Sequence, residues 1–313
     1  MYIKLKNRPS VLSYYAVAGR KEKEGPIGHL IEEFSDDDRF YKDTWEKAES
    51  EMQRLAFSGA LSKIEGKISP ECVFAGDLMN QCTSSNYGLA GFEIPYIGLY
   101  GACSTCAESI ALASLTVSAG YAKAAGAVTS SHFCSAERQF RFPLEYGGQR
   151  TPTSQHTVTA SGAFVISEKV CAAQISEIML GTVRDGGIKD INNMGAAMAP
   201  AAIDTLCGYF EKSGTRPSDF DLIVTGDLGY EGYSIVKELM AKRGIKLGDN
   251  YNDCGLIVYD RENQLLCVFG GGIGRGNSLG RSSARGRKAA HSAALPGTKK
   301  VGSGQNGFPA AHL

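Results

Sequence analysis

The chain has 313 residues, 43% of them hydrophobic, which allows one large domain or two medium ones with a sizeable core. Formal net charge is zero, yet residues 271–313 hold seven Lys or Arg and no acid, so a body with 26 basic and 33 acidic residues carries a basic tail. There is no run of about 18 apolar residues to span a membrane, no apolar core of a signal peptide in MYIKLKNRPS, and the odd count of nine cysteines does not read as a disulfide framework; the expectation is a chain that starts in the cytosol with most thiols reduced.

Along the chain, Thr44 to Ile64 reads as a helix, because Trp45, Ala48, Met52, Leu55, Ala56 and Ile64 recur at helical spacing. Asp43 or Thr44 can cap it. CVFAGDL then reads as a buried strand ending at Gly76-Asp77, and IPYIGLYGA (94–102) as a strand running into a helix from Ser104 to Ala122. AAGAVTSSH (124–132) and TVTASGAFVIS (157–167) read as strands. MAPAAIDTLCGYFEKSG (198–214) reads as a helix, LIVTGDL as a strand, and GYEGYSIVKELMAKRG contains a further helix. CGLIVYD and LLCVFGG fit a hairpin. Alternating strands and helices argue for an α/β protein. Gly76-Asp77-Leu78 and Gly226-Asp227-Leu228 lie 150 residues apart, each after a helix, a polar loop and a strand, which indicates internal duplication.

The densest chemistry lies in YGACSTCAES, residues 100–109. Cys103 falls where a strand meets a helix. Unpaired amides at a helix N-terminus favour thiolate and can stabilise an oxyanion, the arrangement an acyl-accepting nucleophile needs. Cys106 completes a C-x-x-C, the spacing of a redox pair, but the chain is far too long for a thioredoxin module. A zinc site needs about four ligands, and no second C-x-x-C exists. One turn into a helix, Cys106 reads as a packing residue. A nucleophile also needs a base, and the chain has five histidines. His132 stands out, with Arg138, Arg141, Tyr146 and Arg150 close behind it, although a lone histidine is more often structural. Guanidinium forks with aromatic faces suit a planar carboxylate ligand; a surface loop with ion pairs is the alternative.

KEKEGPIGHL, FAGDLMNQ, GACSTCAESIA, TSSHFCSAERQFRFPLEYGGQR, MGAAMAPAAIDT, LIVTGDL and NDCGLIVY together resemble the stage V sporulation protein AD family, within the thiolase-like superfamily, from about residue 10 to 270. The resemblance implies a duplicated βαβαβαββ fold of five α-β-α-β-α layers. Residues 1–170 would form the N-terminal half, 171–270 a truncated C-terminal half, and 271–313 a disordered Gly-rich tail. It places Cys103 at the nucleophile position. Condensing relatives complete a Cys-His-Asn set from the second half; here Gly226 or Asp227 stands where the His is expected, and Asn252 or Asp253 lies near the Asn position. A thiol without its imidazole loses a base worth about 10² to 10⁴-fold. The resemblance thus implies a vestigial nucleophile. It also implies a non-catalytic protein that binds dipicolinic acid, alone or as its calcium chelate, and supports its uptake into the developing spore. His132, Arg138, Arg141, Tyr146, Asp77, Asp227, Asn252 and Asp253 are the candidate ligand-binding residues. The alternative is an active acyltransferase using Cys103.

No cofactor and no metal are expected. The expected partners are other stage V sporulation A proteins at the spore membrane and a second copy of the chain, with no nucleic acid. The protein would be made in the cytoplasm and act in the forespore, held at the inner spore membrane through those partners. After CVFGGGIG the chain departs from the family pattern into Gly, Arg, Ser and Ala, the composition of a GC-rich coding sequence read out of frame. The expectation is a frameshift, which nucleotide sequencing near codon 272 would reveal.

Overall fold

Thr44 Oγ1 accepts the Lys47 amide at 3.3 Å and starts the first long helix, as its sequence suggests. In the computed structural model, which describes residues 1–64, 66, 68–137, 140, 156–190, 192–260 and 268–269, that helix covers one face of a six-stranded sheet. In chain order the first half consists of β1 (Tyr2–Lys4), β2 (Ser10–Ala18), α1 (Arg20–Lys23), β3 (Glu33–Phe34), α2 (Trp45–Ser62), β4 (Cys72–Gly76), α3 (Thr83–Leu89), β5 (Tyr96–Gly98), α4 (Thr105–Ser118), β6 (Ala124–Ser131), β7 (His156–Thr157) and β8 (Ala160–Ser167). The sheet order is β3-β2-β8-β6-β4-β5. β4 runs parallel to β5 and β6, and β8 antiparallel to β2 and β6.

Side-chain alternation explains the layers. Val73, Ala75, Val128, Ala163 and Val165 meet α2, whereas Phe74, Ala125, Ala127, Phe164 and Ile166 meet α4. With both faces covered, the central strands read as nearly continuous apolar runs. Met52 and Phe57 on one side and Ile110 on the other are fully buried, each contributing about 1.5–3 kcal/mol of transfer free energy.

β2 has no counterpart in the sequence reading. Its Ser10 and Ser13 are buried, and Ser13 Oγ donates to Ala60 O at 2.7 Å. Polar residues on core-facing positions hide the apolar pattern. The expected strand over 94–102 is confined to Tyr96–Gly98. Beyond it the Leu99 carbonyl presses so closely on Gly76 that a Cβ there would lie 1.9 Å from the oxygen. The chain then leaves the sheet toward Cys103.

The second half contains β9 (Glu177–Met179), α5 (Met194–Ser213), β10 (Ile223–Thr225), α6 (Gly229–Lys242), β11 (Tyr251–Asp253), α7 (Cys254–Val258) and β12 (Val268–Phe269). β9 pairs with β1, and β10 with β11 in parallel. The duplication is visible as α2 and α5, each followed by a loop, then β4 or β10, then Asp77 or Asp227. The expected hairpin of CGLIVYD with LLCVFGG is not formed. Asp253 accepts the Gly255 amide at 2.9 Å, and that cap turns the following apolar run into α7. Val268–Phe269 pairs instead with His156–Thr157, in parallel.

Candidate functional site

Cys103 sits in a tight 3-10 turn, Ala102–Ser104, that feeds α4. Ala102 has φ 47°, a left-handed conformation that costs a non-glycine residue on the order of 1 kcal/mol or more. Ser104 locks the turn through Oγ to Gly101 O at 2.8 Å. Cys103 is 8% exposed and packs with Leu78, Ala136, Phe140, Met198 and Leu228, where the core of the second half meets the mouth of α4.

This position overturns the expectation that the helix end favours thiolate. Burial pushes the Cys103 thiol well above its ordinary range, the Asp227 carboxylate pushes it further, and backbone hydrogen bonding opposes both only in part. Among the described residues no histidine hydrogen-bonds Cys103; His29 is exposed, and His132 and His156 are held elsewhere. Cys103 and Cys106 are both free thiols. Cys106 is pushed up to about 12 by burial, with a smaller contribution from Cys254.

Asp227 acts on Cys103 electrostatically from a strained turn with φ 77°. Asp253 holds that turn. Its Oδ2 accepts Thr225 Oγ1 at 2.5 Å and Leu228 N at 2.9 Å, and its Oδ1 accepts Gly229 N at 3.0 Å and Gly255 N at 2.9 Å. Four donors on a fully buried carboxylate make it a framework for the mouths of α6 and α7. Asn252 Oδ1 accepts the Asp253 amide at 2.8 Å. Asp227 therefore bears on Cys103, while Asp253, with Asn252 beside it, holds the turn that carries Asp227.

The other candidates lie on the α2 side. His132 Nε2 is 2.7 Å from Asp38 O, and its Nδ1 accepts the Cys134 amide at 3.0 Å. A carbonyl only accepts, so the proton is on Nε2 and both ring nitrogens are engaged. Burial lowers its pKa below the ordinary imidazole value. Its ring packs on Trp45 at 5.4 Å, and the Arg39 guanidinium covers the same indole at 4.5 Å. Asp77 turns into its own half: Oδ1 accepts Met79 N at 2.8 Å, and Oδ2 accepts Ser85 N at 2.8 Å and Ser85 Oγ at 2.7 Å. Arg138, Arg141 and Tyr146 lie outside the described residues, as does the basic tail.

Sequence reasoning missed the polar cluster beside Asp77. Glu49 and Gln53, one helical turn apart on α2, are completely buried. Glu49 accepts Ser130 Oγ at 2.8 Å and also Ser135 Oγ. Gln53 Nε2 donates to Ser85 and Ser130, both at 2.8 Å, and to Gly76 O at 3.3 Å. The available signal was their i, i+4 spacing on the face that also presents Ala56 and Ala60. Among the described residues no group of three or more His, Cys, Asp or Glu could hold a metal ion.

Comparison with known proteins follows the same lines. Residues 1–282 match the stage V sporulation protein AD family. The Bacillus subtilis (strain 168) protein of that name is 44% identical over 258 residues, spanning 82% of this chain and 75% of the relative. Among solved structures, human mitochondrial 3-ketoacyl-CoA thiolase in complex with CoA superposes with a TM-score of 0.57 at 11% identity, covering 96% of this chain and 100% of that one. The 3-oxoacyl-[acyl-carrier-protein] synthase III of Aquifex aeolicus VF5 gives 0.54 at 11% identity, covering 88% and 91%. The fold is thus thiolase-like.

Proposed function

The chain belongs to the stage V sporulation protein AD family, and we propose that it serves sporulation as a binding protein on an enzyme scaffold, holding dipicolinic acid for uptake into the spore and not converting it. The observation that carries this reading is the state of Cys103: a buried thiol, raised by its surroundings, with a carboxylate in front of it where a base would be required. A carboxylate lies several pKa units below a thiol and is a weak base for it, and while ionised it disfavours the thiolate beside it, so covalent catalysis lacks the imidazole relay and an activated nucleophile.

Dipicolinate is a flat dianion, and Arg138 and Arg141 have the charge and fork geometry to clamp it, with Tyr146 for the ring. Calorimetry on the Arg138→Ala/Arg141→Ala double variant is expected to show affinity at least about tenfold weaker, the loss of one charge-assisted contact or more. Unchanged affinity removes these arginines from the site. Calcium would arrive with the ligand, as its chelate. An acyltransferase using Cys103 is the second reading, favoured by the placement of that residue at the mouth of α4 in a thiolase-like fold.

The partners we infer are other stage V sporulation A proteins at the inner membrane of the forespore and a second copy of this chain. No helix among the described residues is long and apolar enough to cross a membrane. For the second copy, β5 is an edge strand of the sheet, with Ile97 51% exposed on it and Tyr100 52% exposed just beyond. An apolar edge of this kind favours pairing. Ile97→Lys is expected to convert a dimer to monomer in analytical ultracentrifugation; a wild-type monomer, or a variant that stays dimeric, contradicts the assignment.

A further inference from the structure

Glu49 and Asp77 act on each other electrostatically inside the first half, linked through Ser130, Gln53 and Ser85, and among the described residues no cation pairs with either. Each is almost completely buried. Every hydrogen bond to either carboxylate comes from a serine hydroxyl or a backbone amide, and among the described residues neither has a lysine or arginine partner. Ser130 and Ser85 connect the two through the Gln53 amide. Two carboxylates in a low-dielectric interior with no cation partner among the described residues disfavour double ionisation.

Gln53 supplies a second, independent sign. It is completely buried, and its Oε1 has no donor among the described residues. A buried acceptor without a donor costs about 1–3 kcal/mol. One turn along the same helix face, a protonated Glu49 offers the kind of donor this acceptor lacks.

The cluster also ties together elements that would otherwise move apart. Glu49 is on α2, Asp77 follows β4, Ser85 is on α3, Ser130 is on β6, and Ser135 belongs to the loop after it. The same loop is fixed by the Glu137 amide donating to Leu78 O at 2.9 Å. We propose that Glu49 and Asp77 share one buried proton, and that its loss in alkali unlatches the 133–137 loop from α2.

The groups facing the pair set the direction. Glu49 is pushed up to about 8, first by burial and then by Asp77. Asp77 is raised by burial and by Glu137, against the opposing bonds from Ser85 and Met79. Cys82, Tyr96 and Tyr100 also face Asp77, and each is raised by burial foremost. Among the described residues no facing group supplies positive charge. The folded pair holds a proton that the unfolded chain releases in the ordinary carboxylate range. Stability is therefore complete in acid and is lost as pH rises through about 8.

Hydrogen exchange on the full chain tests the latch. Protection factors at the Ser85 and Glu137 amides, corrected for intrinsic base catalysis, are expected to fall tenfold or more between about pH 6 and pH 9. In Glu49→Gln, whose amide needs no proton, they should stay level. Asp77→Asn provides the same comparison from the other side should the first variant fail to fold. Level protection in the wild type, or an equal fall in the folded variants, overturns the proposal. So does protection at about pH 8 that requires sodium or potassium and disappears in tetramethylammonium, since a bound cation would then stand in place of the proton.

Discussion

Replacing Asp253 by alanine is expected to cost about 4 kcal/mol of folding stability, a large share of the 5–15 kcal/mol typical of a domain. Four donors lose their acceptor at once: Thr225 Oγ1 and the amides of Leu228, Gly229 and Gly255. Each buried donor left unsatisfied costs about 1–3 kcal/mol, reduced where the backbone relaxes or water enters. The loss falls on the turn that presents Asp227, so the mouths of α6 and α7 should loosen first. Asp253→Asn keeps one oxygen and should lose about half as much. Urea unfolding measures both; an alanine variant with the wild-type midpoint would show that Asp253 is not the framework of the second-half site.

Removing the charge in front of Cys103 is expected to change reactivity more than stability. Asp227→Asn keeps the size of the side chain and deletes the carboxylate that disfavours thiolate. Alkylation of Cys103 by iodoacetamide should accelerate roughly tenfold, because rate follows the thiolate fraction. Cys106, half-buried on the same helix and influenced by Cys254, is an internal control that should not respond. Equal rates at Cys103 in wild type and variant would leave burial as the sole cause of its inertness.

The thiolase-like fold was legible because its signals are local. α2 announces itself by apolar spacing and a Thr44 cap, β4 and β6 by apolar runs, and the duplication by the recurrence of Gly-Asp-Leu after a strand. β2 was not legible, since its buried serines gain their partners only from α2 and from residues far along the chain. The hairpin failed for a related reason: Asp253 reads as a loop residue until the turn of β10 brings its donors within reach. In the site, the sequence identified Cys103 and Asp227 as positions, and the fold brings them together. What it concealed was sign. A helix mouth argues for thiolate, and only tertiary packing shows burial and a facing carboxylate prevailing. Glu49 and Gln53 were concealed for the converse reason, as polar residues on a helix usually face water.

Cys103 itself decides between holding and converting. Native protein incubated with a short-chain acyl-CoA thioester near pH 7.5, quenched and peptide-mapped by mass, should return Cys103 as the free thiol. A stoichiometric acyl adduct on Cys103 would contradict the binding reading and place the chain among the acyltransferases whose fold it shares.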